Sequence, residues 1–323
     1  MAKYIIGIDV GGTSAKGGLF SLDGELLSFS KIPTNKADGV ERTTSSLVAF
    51  SKELAIQANV CYDDVIAVGI GVPGVVDSRE GIVLRWTNFN WVDAPVASLF
   101  SKQSGKPVYI ANDANVAALG ESKFGATSGY QSSILLTIGT GIGGGIVFDG
   151  KLIEGFRSAG AELGHITIRE GADGLPCACG RKGCYEKYAS ATALVRQTRH
   201  AMVEDLSSEL WRVADGKIEN VDGRTAFIAA KAGDETARKV VEQFVDYLSE
   251  GIADFVNILR PEAIVLGGGI ANEGEALFEP LRKAVDARTY IAMDIVPLKI
   301  VGAKLGNKAG TYGAFALAKD KIN

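Results

Sequence analysis

Three of the four cysteines, Cys177, Cys179 and Cys184, fall within eight residues, and one of the two histidines, His165, lies just upstream. Three thiolates and one imidazole are a complete donor set for a tetrahedral Zn²⁺. Gly180 and Gly183 between the cysteines supply the backbone freedom that a tight loop needs to turn sulfurs inward. A C-x-C pair closes poorly as a disulfide, so the spacing predicts a structural zinc site. Cys61, the remaining cysteine, has no partner and is expected to be a buried or half-buried thiol.

Three glycine-rich loops each follow an apolar run. In Asp9-Val10-Gly11-Gly12-Thr13 the N–H groups of Gly11 and Gly12 and the Thr13 hydroxyl suit an anion. Asp9 could order Mg²⁺ through its waters, since that ion prefers one or two carboxylates plus phosphates. Lys16 is either a phosphate ligand or a solvated lysine. Gly139-Thr140-Gly141 offers the same chemistry from the second half, and Gly267-Gly268-Gly269 suits close approach of a nucleoside. A single loop of this kind is usually a tight turn. Three of them, two in matching positions, predict a bound nucleotide held between hairpins. Neither a Walker loop nor a dinucleotide fingerprint is present.

Asn112-Asp113-Ala114-Asn115 falls where a strand gives way to a helix. Locally, Asp113 reads as a helix N-cap and Asn115 as a turn residue. Chemically, Asp113 could accept the proton of an attacking hydroxyl in phosphoryl transfer, with Asn112 fixing the neighbouring hydroxyl. Glu162 and Glu186 flank the cysteine–histidine segment, where a rigid knot would hold them for hydrogen bonds to vicinal hydroxyls. Solvated loop carboxylates are the alternative. Asn88 is a further polar candidate; Trp86 and Trp91 read as loop packing and His200 as surface.

The elements that must position these groups repeat in order. Three antiparallel strands, then helix, strand, helix, strand and helix run to about residue 125, and the second half repeats that order with the cysteine segment inserted. Two internal matches support a duplication: 5–13 with 135–143, and 68–74 with 264–270. The expected fold is α/β, two ribonuclease-H-like domains of the actin/hexokinase ATPase type around a cleft, spanning 1–125 and 126–323. Composition fits: 46% apolar, 22% charged and a net charge of −4. No basic stripe points to nucleic acid, and no run of 18 apolar residues points to a membrane. The start is interrupted by Asp9 too early for a signal peptide, and metal-binding thiolates suit a reducing compartment. A cytoplasmic protein is expected.

Together these residues resemble the ROK family, whose members include sugar kinases and transcriptional repressors. The resemblance spans nearly the whole chain. It is carried by D-V-G-G-T at 9–13, G-V-P-G-V-V-D at 71–77, N-D-A-N at 112–115 and T-I-G-T-G-I-G-G-G at 137–145, and by E-L-G-H at 162–165, C-A-C-G-R-K-G-C-Y-E at 177–186 and L-G-G-G at 266–269. It implies an ATP-dependent hexose kinase, with glucose favoured and Asp113 as general base. It implies sugar contacts from Gly74, Asn88, Asn112, Glu162, His165 and Glu186, structural zinc on His165 and the three cysteines, Mg²⁺ with ATP, and a homodimer. Other hexoses, amino sugars and β-glucosides stay open as acceptors, and polyphosphate as donor. The family's repressors carry a DNA-binding segment ahead of the first glycine loop, for which this sequence has no room. A non-catalytic sugar-responsive protein would tolerate loss of Asp9 or Asp113, and both are present.

Overall fold

The computed structural model describes residues 3–322. In chain order the first half runs Tyr4–Val10 (β1), Ser14–Ser21 (β2), Leu26–Pro33 (β3), Gly39–Gln57 (α1), Val65–Val72 (β4), Val75–Asp77 (β5), Ile82–Trp86 (β6), Trp91–Ala94 (β7), Val96–Ser104 (α2), Val108–Asn112 (β8) and Asp113–Phe124 (α3). The second half begins with Ser132–Ile138 (β9), Ile142–Phe148 (β10) and Lys151–Leu152 (β11). Glu186–Ala189 (α4), Ala191–Glu204 (α5), Leu210–Val213 (α6), Thr225–Lys231 (α7) and Glu235–Leu259 (α8) follow. Ala263–Gly267 (β12), Glu275–Asp286 (α9), Lys299–Gly302 (β13) and Ala309–Ile322 (α10) close the chain.

Among the described residues the strands form two five-stranded sheets of matching order, β3-β2-β1-β4-β8 and β11-β10-β9-β12-β13, and a small sheet β5-β6-β7. β1 pairs antiparallel with β2 and parallel with β4, which pairs parallel with β8. This is the ribonuclease-H-like order expected from the sequence, and it appears twice. The hairpin β1–β2 answers β9–β10, so both glycine loops are hairpin turns.

The chain packs into two compact units. The first holds residues up to Leu135, Gly145–Ala161 and those from Lys304 on; the second holds Leu136–Gly144 and Glu162–Ala303. This differs from a division at residue 125, chiefly because the last helix belongs with the first unit. A Cβ on Gly69 of β4 would lie 1.8 Å from the Ala314 carbonyl oxygen, and one on Gly7 of β1 would lie 2.2 Å from that of Thr311. These glycines let α10 sit directly on the sheet. The buried Glu121 carboxylate of α3 receives the N–H groups of Lys304 at 3.0 Å and Leu305 at 2.7 Å, fixing the return. On the other face of the same sheet, Ile6, Ile8 and Val10 join Leu47, Phe50 and Leu54 in the main core, as period-two alternation requires.

The Cys61 thiol is exposed rather than buried. α1 ends at Gln57, and Cys61 stands outside it, capping the short turn Tyr62–Asp64. Among the described residues no helix is long and apolar enough to cross a membrane.

Candidate active site

In the first unit, register brings the carboxylates to one sheet edge. Asp9 pairs with Gly71, and Gly71 with Ala111, so Asp9 and Asp113 both stand at the carboxyl ends of parallel strands. Open α/β sheets bind ligands at such ends. A Cβ on Gly71 would lie 3.6 Å from the Asp113 Cα. Asn112, rather than Asp113, caps α3: its Oδ1 accepts from the N–H groups of Ala114 at 2.9 Å and Asn115 at 3.2 Å. Its Nδ2 donates to the Gly74 carbonyl at 3.0 Å. Three of the four hydrogen bonds open to an amide are thereby used, leaving one N–H for a ligand. Gly74 has φ +94°, and a Cβ there would strike the Arg85 carbonyl oxygen at 2.2 Å. Arg85 lies on β6, which leads into the exposed turn that carries Asn88. Trp86 stacks on Phe89 at 3.7 Å and meets Trp91 edge-on, so both tryptophans pack the loop.

Burial first, and the Asp113 charge second, push the half-buried Asp9 carboxyl up from 3.8 to about 6, while Lys16 across the hairpin pulls it down. Two carboxylates at the ends of strands in one sheet thus oppose each other's ionisation, a cost that a bound cation would relieve. The Gly11–Thr13 turn is braced by Thr34, which sequence reasoning missed: its N–H reaches the Thr13 carbonyl at 3.1 Å and its hydroxyl the Gly11 carbonyl at 2.8 Å. A Cβ on Gly12 would meet nothing within 4 Å among the described residues.

A second feature had no sequence signal. The buried Asp77 accepts from Arg157 Nε at 2.9 Å and from the N–H groups of Arg79 and Glu80, each at 3.3 Å. The Arg157 hydrogen bond holds its carboxyl below the usual range. Ser158 meets the Ser78 hydroxyl at 2.7 Å, and Ser78 donates to Glu154 at 2.9 Å. This clamp holds Arg157 and Ser158 at φ +51° and +54°, and Ala161 just beyond it stands at +62°, a region costly for any side chain. Glu162 follows directly.

In the second unit, a Cβ on Gly164 would lie 2.1 Å from the Ile142 carbonyl, and one on Gly144 would lie 2.6 Å from Leu163. Leu163 and Gly164 therefore lie flat on β10 and deliver His165. His165 Nδ1 is 3.7 Å from Cys177 Sγ, Cys179 Sγ is 3.6 Å from Cys184 Sγ, and all four donor atoms lie within 4.8 Å of one another. Tetrahedral zinc with Zn–S of about 2.3 Å and Zn–N of about 2.0 Å sets such donors roughly 3.5–3.8 Å apart, so the residues fit the ion. Gly180 and Gly183 have φ +89° and +77°, and a Cβ on Gly183 would overlap the Arg169 carbonyl at 1.6 Å. Burial pushes the Cys177 thiol up to about 12, and raises that of Cys184. The Arg181 N–H lowers that of Cys179.

Glu186 links this knot to the second glycine loop. Its Oε1 accepts from Cys177 Sγ at 3.1 Å, and its Oε2 would lie 2.3 Å from a Cβ on Gly141. Glu162 is exposed at the head of the turn that ends in His165. Gly139, Thr140 and Gly269 line one cavity of about 700 Å³, large enough for a nucleoside. Gly267 ends β12, and Gly268, at φ +96°, turns against the Ile138 carbonyl. Cβ atoms on Gly139 and Gly269 would meet nothing within 4 Å among the described residues. Sequence reasoning missed the rest of the lining, notably Val195, Arg224, Asn272 and Glu273.

The sequence pattern of the ROK family matches residues 5–321. The chain belongs to the ROK family. It is 38% identical to a glucokinase of Thermotoga maritima, over 98% of each chain. It is 37% identical to a glucokinase of Halalkalibacterium halodurans, over 99% of this chain and 96% of that one. Among ROK structures it is similar to the glucokinase of Streptomyces griseus in complex with glucose and AMPPNP, at 34% identity and a TM-score of 0.78, covering 98% of this chain and 99% of that one. The Cys₃His set and all three glycine loops lie within the matched ROK residues.

Proposed function

We propose that this protein phosphorylates glucose with ATP, with Asp113 as general base. The observation that carries the reading is the trio Gly12, Gly139 and Gly269. Among the described residues none has a neighbour within 4 Å of a Cβ, and none has a positive φ, so neither packing nor backbone conformation asks for glycine there and each loop leaves room for a ligand. Similarity to glucokinases over the full length supplies the acceptor and the donor.

In this reading Asp113 takes the proton of the sugar's 6-hydroxyl as its oxygen bonds to the γ-phosphorus and the bond to ADP breaks. Positioning and charge stabilisation do most of the work in such transfers. Gly74, Asn88, Asn112 (through its one remaining N–H), Glu162, His165 and Glu186 hold the sugar. Gly11, Gly12, Thr13, Gly139, Thr140 and Gly141 cradle phosphates, with Lys16 near them, and Gly267, Gly268 and Gly269 back the nucleoside. Asp9 would hold the Mg²⁺ of Mg-ATP, and that ion would neutralise charge on the transferred phosphate. Zinc on His165, Cys177, Cys179 and Cys184 would fix the His165 ring, leaving Nε2 for the sugar. The resemblance also favours a homodimer, and thiolates held for a metal favour the reducing cytoplasm.

The test is ADP formation with Mg-ATP against a panel of hexoses, amino sugars and β-glucosides. Turnover on glucose well above the others is expected. Preference for another sugar would move the acceptor, and no turnover on any would remove the kinase reading.

A further inference from the structure

The geometry points to Gly310, the second residue of α10, as a positioning residue for the Asp9 carboxylate. Other glycines in this core are crossed by backbone: Cβ atoms on Gly7, Gly69, Gly120 and Gly313 would strike carbonyl oxygens of Thr311, Ala314, Ala309 and Val116 at 1.5–2.3 Å. Gly310 is different. The three atoms nearest a Cβ there are Asp9 Cγ, Oδ2 and Oδ1, at 2.5, 2.6 and 2.8 Å.

Two further observations give that contact weight. Gly310 has no positive φ and lies in the first turn of a regular helix, where glycine is among the weakest helix formers, so the helix itself does not ask for it. Among the described residues no hydrogen bond fixes the Asp9 carboxylate; burial and the charges of Asp113 and Lys16 act on it without aiming it. Packing against the bare Cα of Gly310 is what sets its direction. A methyl group at 310 would be accommodated by turning that carboxylate aside, because a side-chain end yields where backbone does not. The inference rests on the proposed role of Asp9 toward Mg²⁺.

Gly310→Ala, Asp9→Asn and the double variant are compared with wild type in two measurements. One is Mn²⁺ binding in the presence of a non-hydrolysable ATP analogue, followed by electron paramagnetic resonance. The other is thermal unfolding without nucleotide. Gly310→Ala is expected to melt at or above the wild-type temperature, to bind Mn²⁺ at least tenfold more weakly, and to add nothing once Asp9 is Asn. Wild-type Mn²⁺ affinity in Gly310→Ala, with Asp9→Asn weakened, would overturn the inference alone. So would additive losses in the double variant, or a lowered melting temperature in Gly310→Ala. Wild-type affinity in Asp9→Asn would overturn the metal role of Asp9 and this inference with it.

Discussion

Replacing Asp9 with Asn is expected to make the nucleotide-free protein more stable at pH 8, and the gain should fade on acidification. The folded protein holds the Asp9 proton up to about pH 6, against 3.8 as the ordinary value. Between those values the folded state binds more protons than the unfolded one, so stability falls as pH rises through that window. Above pH 6 the whole cost of an ionised, crowded carboxylate is present; below about pH 4 it is gone. The move from 3.8 to about 6 corresponds to about 3 kcal/mol, and water reaching a half-buried group trims this toward roughly 2 kcal/mol. Asparagine keeps the shape and removes the charge. Urea unfolding of both proteins in Mg²⁺-free buffer at pH 8, 6 and 4 reads the difference directly. The reasoning predicts a stabler variant at pH 8 and near-equal proteins at pH 4. A variant less stable at pH 8, or a gap that does not change with pH, would refute it. Stability held back at one carboxylate is what a cation-binding group requires.

The purified protein is expected to carry about one Zn²⁺ per chain, and Cys179→Ser to lose the metal and weaken glucose binding about 10–100-fold. Metal analysis and calorimetry check both, and metal-free wild-type protein would contradict the cluster. Gly139→Ala places a methyl group with no described atom within 4 Å, so its melting temperature should match wild type while the KM for ATP rises about tenfold. An unchanged KM would count against the loop. Ala161→Gly relieves a φ of +62° and should raise stability by about 1 kcal/mol; an unchanged or earlier urea midpoint would contradict the strain.

What the sequence made legible followed from continuous signals. β4, α8 and β12 were readable to the residue because an apolar run or a long 3.6-residue period marks each. The glycine loops stood out because each follows such a run. α10 also reads as a helix, but its buried face is mostly Ala and Gly, so hydrophobic patterning could not show that it returns to the first sheet. β5 has only three residues, too few for alternation to register. The Asp77–Arg157 clamp joins residues 80 positions apart, and the cavity wall draws on four separate segments, so neither has a local signature. At α3 the local rule identified the capping motif but assigned it to Asp113 rather than Asn112, one residue late in the chain.

The most direct test of the central claim compares wild type with Asp113→Asn, measuring glucose-dependent ADP formation beside glucose affinity by calorimetry. The account predicts turnover on glucose by the wild type and undiminished glucose binding by the variant, with its ADP formation reduced by about 10²–10⁴-fold. A variant that binds glucose and retains more than a few per cent of the wild-type rate would remove Asp113 as the base.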